Sequence, residues 1–544
     1  GSLDTSNIIA EEVAQEKPAE VEQLEEIPTT DELMQNPDVL EKSVADSDDP
    51  DLTVVSSGDF WTIYRNTVNN EYNLRMFGNV PSSRPTAWNS YLKSIKHIEI
   101  EEATLTGSFA SYFRGTDFPV LESVRIEQCN LSGVTSFEMA FYNSGIEKVI
   151  IRDNDYPKAP SLLTATQYMF SLCRNLSELD LSGLDTSAVT NMYAMFQNCT
   201  SLEELDLSNF DTSSATNMYS MFSGCRSLEK LDVSNFDTSS VAHMQFMFEK
   251  CSILEELDLS NFDTSSVTNM SYMFQLCPAL KSLYLDNFTD AAIMTGMFAG
   301  TTSLTYLFVS HNLSTFNNLE NTSWYDEKNW VQFSNLSQLQ TYHRQQSEPI
   351  GYRKGAFLSL TMDAMGGEFE DAEEQKVQNK ISGEYWEEVI PVKEGHYFDG
   401  WYLDQNFTNK FDFSLPAAVS TTIYAKWVEN YTVIIPASIS LNEASELKVQ
   451  GINRGSKTLS VGLNYEETTI SESNKLTLSN TADTTVRCLA PMSWDGSETN
   501  PEKAILTLAP GSEITEGDAV MEIKSPENIQ AGKYTGNVVF SIKY

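Results

Sequence analysis

The sequence predicts an α/β solenoid of about nine coils, followed by a small β-rich module and an all-β sandwich. Three observations carry this. A unit of 24–30 residues recurs from Ile95 to about residue 310. Inside it Cys173, Cys199, Cys225, Cys251 and Cys277 stand 26 residues apart, which is a repeat and not a disulfide framework. Beyond residue 355 that pattern gives way to short alternating apolar runs broken by glycine.

Residues 1–52 hold sixteen acidic residues against Lys17 and Lys42, a charge of 2 − 16 = −14, with no aromatic side chain. Such a segment buries too little apolar surface to offset the entropy of ordering, so disorder is expected. Residues 53–94 change character. Phe60–Tyr64 and Tyr72–Met76 read as two strands, placed to cap the first coil.

From Ile95 to residue 345 runs the solenoid, with coils starting at Ile95, Leu121, Ile146, Leu176, Leu202, Leu228, Leu254, Leu280 and Leu304. One coil explains all. Leu205-Asp206-Leu207 alternates as a half-buried strand does, so the leucines point in and Glu204, Asp206 and Ser208 point out. Asp211-Thr212-Ser213 then offers a helix cap, and Ala215, Met218 and Phe222 follow at near-helical spacing. The expectation is a parallel sheet on one side and short helices on the other. No coil buries its Leu/Met/Phe face alone; stacking does that. The cysteine position is taken by Thr301 in the coil after that of Cys277, so buried packing, rather than metal or redox chemistry, is expected of the column.

Residues 312–345 read as a C-terminal cap and 345–349 as a linker. Residues 356–428, with Asp363-Ala-Met-Gly-Gly and Phe398-Asp-Gly-Trp-Tyr, imply strands around one small core. Residues 430–544 hold five strand-like runs, starting near Tyr431, Leu459, Lys475, Ala504 and Gly536, at a spacing that suits a sandwich.

The unit Leu-x-x-Leu-Asp-Leu-Ser-Asn-Phe-Asp-Thr-Ser-Ser-Val-Thr-Asn-Met-x-x-Met-Phe-x-x-Cys, as at 254–277, resembles the BspA-type leucine-rich-repeat surface proteins of bacteria. Residues 356–428 resemble the Listeria–Bacteroides repeat, the B-repeat of internalins, with Met365 where that family usually has Asn. The resemblances imply a leucine-rich-repeat solenoid, a β-grasp-like module, and a secreted, cell-surface protein with an adhesion role. By analogy the last domain reads as an immunoglobulin-like stalk. No signal peptide and no LPxTG-type sorting signal is read in these residues.

Charge narrows the partners. Lys plus Arg is 35 and Asp plus Glu 77, a net −42, with no basic run. Nucleic acid and anionic membrane surfaces are excluded as expected partners. No run approaches about 20 consecutive apolar residues, so no membrane span is expected. Among His97, His243, His311, His343 and His396 no two have zinc-ligand spacing, and there is no phosphate loop or nucleophile elbow. No cofactor and no catalysis are expected.

The informative feature is the outward strand column. Asp180, Asp206, Asp232 and Asp258 stack at coil spacing, and Tyr284 and Phe308 continue the column, with Tyr306 beside them. A row of carboxylates favours a basic partner or a divalent cation, and exposed aromatics favour an apolar or sugar surface. The sequence thus reads as a non-enzymatic surface recognition protein that binds a host or neighbouring-cell protein or glycan through a concave face. The alternative is a carbohydrate-binding protein or glycan-acting enzyme with its site in the C-terminal β domain.

Overall fold

The computed structural model describes residues 49–154, 160–443, 446–468, 470–471, 473–494, 503–527 and 529–544. The acidic segment expected to be disordered lies outside the described residues, apart from 49–52. The chain divides into two compact units between Phe357 and Leu358.

The first unit is a β-solenoid of about nine turns. It opens with antiparallel strands β1 (Leu52–Ser57), β2 (Trp61–Asn66) and β3 (Tyr72–Pro81). Alternation buries Trp61, Ile63, Leu74 and Met76, and Trp61 meets the buried Trp88 edge-on at 5.9 Å. Parallel strands follow: β4 (Ile95–Ser108), β5 (Ser123–Glu127), β6 (Asn130–Ser136), β7 (Lys148–Arg152) and β8 (Glu178–Asp180). A second sheet holds β9 (Glu256–Asp258), β10 (Ser282–Leu285) and β11 (Tyr306–Val309), then β12 (Trp324–Asp326) and β13 (Val331–Phe333). Helix α1 (Leu336–His343) precedes β14 (Ile350–Lys354), which lies antiparallel to both β11 and β12.

Two expectations are corrected here. The coils carry turns where helices were expected, so the solenoid is β and not α/β. The hydrogen bonds give the reason. Met192, Ala194, Phe196 and Asn198 donate their N–H groups to carbonyls of the next coil, at 2.7–3.0 Å. The residues between them, Met195, Gln197 and Cys199, donate to the carbonyl three residues back. A helix would consume every N–H within its own turn; here half of them bind the neighbour. The alternation places Ala194 and Asn198, and likewise Ser220 and Gly224, Phe246 and Lys250, and Tyr272 and Leu276, in the left-handed region.

The sheet is also discontinuous. Adjacent strands pair from β4 to β8 and from β9 to β11. Along the Asp column no named strand among the described residues joins the coils of Asp180, Asp206, Asp232 and Asp258, which are bridged further round at Asn191–Asn217, Asn217–His243 and His243–Asn269. Those are the contacts where Asp faces Asp, and like charges directly opposite destabilise pairing.

Beside these bridges and the backbone bonds to the next coil, a set of side-chain ladders holds those coils. Phe113, Phe141, Phe170, Phe196, Phe222, Phe248 and Phe274 stack at 5.1–5.9 Å through the centre. Such pairs add about 0.5–1.5 kcal/mol each beyond their burial. The buried hydroxyls of Thr212 and Thr238 donate to the carbonyls of Asp237 and Asp263 and accept the N–H groups of the same residues at 2.8 Å. Asn209, Asn235 and Asn261 donate to carbonyls of the preceding coil. The five periodic cysteines are buried and free, and each thiol donates to a carbonyl of the preceding coil at 3.0–3.4 Å.

In the second unit, strands β15 (Leu358–Asp363), β16 (Gln375–Lys380), β17 (His396–Tyr402) and β18 (Thr421–Glu429) form one mixed sheet, ordered β16-β15-β18-β17. Its core is Leu360, Met362, Phe369, Trp386, Trp401, Ile423 and Ala425. Met365 adopts φ 50°, a left-handed conformation that Asn takes more readily than Met. Residues 430–544 build a four-stranded sheet and two three-stranded ones around Val449, Val461, Ala490 and Met521.

Candidate recognition face

The outward strand column exists as read at its two ends. Ile150 is the register partner of Asp180, and Asp258 of Tyr284, which in turn faces Phe308. Asp206 and Asp232 are exposed, Asp180 and Asp258 half-exposed, and Tyr284 and Phe308 half-buried. Tyr306 is different. It is only 5 % exposed, under the Arg353 guanidinium of β14 at 5.0 Å and against the Tyr284 ring at 5.7 Å. The reading of Tyr306 as an exposed contact is therefore corrected. The covering strand lies between the linker expected at 345–349 and the module expected from 356. Gly351 was its signal, because a Cβ there would come 2.6 Å from the Tyr306 hydroxyl.

Each Asp of the column has a local job. Asp180, Asp206, Asp232 and Asp258 accept the N–H of Ser182, Ser208, Ser234 and Ser260 at 2.9–3.0 Å, turning the chain at the end of each strand segment. A second column does the same at the next corner. Asp185, Asp211, Asp237 and Asp263 are exposed and accept from Ser187, Ser213, Ser239 and Ser265. One carboxylate oxygen of each therefore shapes the coil.

The electrostatics divide the face into three. At the N-terminal end opposite charges meet: Arg75 with Glu99 at 3.4 Å, and Glu127 with Arg125 at 3.0 Å and Arg152 at 3.4 Å. Beside them burial pushes the Glu101 carboxyl up to about 7, with the Glu99 and Glu127 charges adding to it. In the middle, residues 176–279 hold fifteen acidic side chains against Arg226, Lys230 and Lys250. At the far end the phenols close the strip. Burial pushes the Tyr284 hydroxyl up to about 12, and burial together with Asp258 raises the Asp286 carboxyl.

The family described as "Mycoplasma protein of unknown function, DUF285" matches three times, over residues 108–227, 164–286 and 203–316. The Listeria–Bacteroides repeat domain matches residues 359–426. No curated protein matches. Among solved structures, a TLR13–ssRNA13 complex is similar at 18% identity with a TM-score of 0.21, over 45% of each chain. The CsuC–CsuE chaperone–tip adhesion subunit complex of Acinetobacter baumannii is similar at 10% identity with a TM-score of 0.17, over 41% of this chain and 82% of that one. The chain thus spans under half of the first structure's length, and at such TM-scores neither likeness carries an argument here.

One cluster escaped the sequence reading. Glu71, His97 and Glu122 come together across three neighbouring strands. Ligand spacing along the chain does not reveal them, because they stand about one coil apart. The signal was there: His97 follows Glu71 by 26 positions, the repeat length, and precedes Glu122 by 25, one short of it.

Proposed function

We propose that the protein is a non-enzymatic, secreted cell-surface recognition protein whose solenoid strand face binds a basic partner. The observation that carries this is the acidic middle of the face, where Asp180, Asp206, Asp232 and Asp258 line up between a charge-balanced end and an aromatic one. Support comes from the matches to repeat families of surface-protein type. No helix among the described residues is long and apolar enough to cross a membrane. On this reading residues 356–428 are a β-grasp-like spacer and 430–544 an immunoglobulin-like stalk. The favoured partner is a protein surface bearing Lys and Arg, held by the strip and anchored at Tyr284 and Phe308.

The test is binding of the full chain to arrays of extracellular-matrix proteins and glycans at low and physiological salt. A basic protein ligand whose affinity falls with salt is expected. The variant Asp206→Lys with Asp232→Lys should weaken it by at least about ten-fold, because two charges at the centre reverse. Tyr284→Ala with Phe308→Ala should weaken it further. Unchanged affinity in both double variants would move the site off this face.

A further inference from the structure

We propose that Glu71, His97 and Glu122 form a binding site for a zinc-class divalent cation, tying the N-terminal cap to the first two coils. Glu71 immediately precedes β3, His97 lies on β4, and Glu122 immediately precedes β5. The register aligns Asn73 with His97 and His97 with Ser123, so all three candidate ligands sit at one edge of one sheet.

The geometry is close to what a small cation needs. His97 Nε2 is 3.5 Å from a Glu71 oxygen and 3.9 Å from a Glu122 oxygen. One atom from each residue falls within 4.8 Å of the other two. Zinc bonds of about 2.0–2.1 Å in a tetrahedron put ligand atoms about 3.3 Å apart. The contraction required is about 0.2–1.5 Å in side chains that are all partly exposed and able to move. A mixed set of one imidazole and two carboxylates suits zinc, whereas calcium and magnesium prefer oxygen alone.

Two neighbours add to the argument. His97 Nδ1 is hydrogen-bonded to Ser123 Oγ at 2.7 Å, which orients the ring and leaves Nε2 toward the carboxylates. That outer bond is the usual companion of a metal-binding histidine. Asn73, the register partner of His97, has a buried side-chain oxygen with no hydrogen-bond partner among the described residues. A buried acceptor without a donor is destabilising, and a water bound to the cation would supply the missing donor.

Lys96 is the competitor. Its ammonium stands 3.5 Å from both Glu71 and Glu122, holding the two carboxylates together with a single charge. It is carried on a flexible stem, and a dication with an imidazole ligand displaces it. The lysine should therefore set the affinity.

The test uses the untagged full chain, freed of metal by chelator, at a pH near 7.5. Zinc chloride and calcium chloride are titrated by calorimetry, and thermal unfolding is followed with and without each. One zinc per chain should bind and raise the melting temperature of the first unit, because a ligand of the folded state stabilises it; calcium should do neither. His97→Gln and Glu71→Gln should each weaken zinc by about ten-fold or more, while Lys96→Met should tighten it several-fold. Circular dichroism confirms that each variant is folded; should His97→Gln fail that check, Glu122→Gln replaces it. Absence of one-to-one zinc binding in both the wild type and Lys96→Met would overturn the site. So would zinc affinity that is unchanged in folded His97→Gln or Glu122→Gln.

Discussion

Replacing Asp206 and Asp232 with asparagine should stabilise the solenoid. Asparagine keeps the side-chain oxygen that accepts from Ser208 and Ser234, so the two turns survive. It removes the three contacts in which Asp180, Asp206, Asp232 and Asp258 face one another across coils. Carboxylates about 6 Å apart in water repel by about 0.7 kcal/mol, and screening at physiological salt reduces that to about 0.3 kcal/mol. Three contacts then give about 1 kcal/mol at physiological salt and about 2 kcal/mol at very low salt. Lys230 offsets part of the repulsion while Glu178, Glu204 and Glu256 at the equivalent outward positions add to it, so these figures count the Asp–Asp contacts alone. Urea denaturation followed by far-UV circular dichroism suits the measurement, since urea adds no ionic strength. The variant's midpoint should lie above that of the wild type, and the gap should narrow as salt rises from about 10 mM to about 300 mM. A midpoint that is equal or lower at low salt, or a gap indifferent to salt, would refute the claim that repulsion separates the two sheets.

Lys250→Gly should stabilise by up to about 1 kcal/mol, because Lys250 is left-handed and Gly224 and Gly300 already occupy its position in other coils; a thermal melt checks it. Met365→Asn should gain a smaller amount for the same reason. The five periodic cysteines should resist a thiol reagent until the protein is denatured, since burial pushes Cys173, Cys225 and Cys277 up to about 12; mass spectrometry of native and unfolded samples reads the difference. His343 is buried between the Tyr352 hydroxyl and the Ser310 carbonyl, and burial lowers its pKa below 6.5. The unfolded chain therefore binds the proton more readily. The stability this contributes is present above about pH 6.5 and lost as pH falls through the lower folded value. Urea midpoints from pH 8 to pH 5 should fall more steeply for the wild type than for His343→Gln. Glu101 works in the opposite sense: its folded value of about 7 lies above 4.5, so its stability is present at low pH and lost as pH rises through 7.

Much was legible in the repeat. Its period, the inward Leu205 and Leu207, the outward Asp column and the buried cysteines all follow from a unit that must hide one face and stack on copies of itself. Periodicity reports which residues face inward; it does not report where the backbone N–H groups go. Ala215, Met218 and Phe222 are inward on a helix or on a run of turns alike, and the bonds to the next coil decided for turns. Gly224, Gly296 and Gly300 inside the expected helices were the trace of that choice. Tyr306 shows the same limit from the other side. Alternation placed it outward, correctly, but β14 folds back from 40 and more residues downstream to cover it. The Glu71–His97–Glu122 cluster likewise exists only because stacking brings residues one coil apart to within a few ångströms. The sequence by itself determined the repeat, its core and its charge. The tertiary structure alone decided backbone pairing, cover and cross-coil clusters, because those depend on contacts between segments that no local pattern encodes.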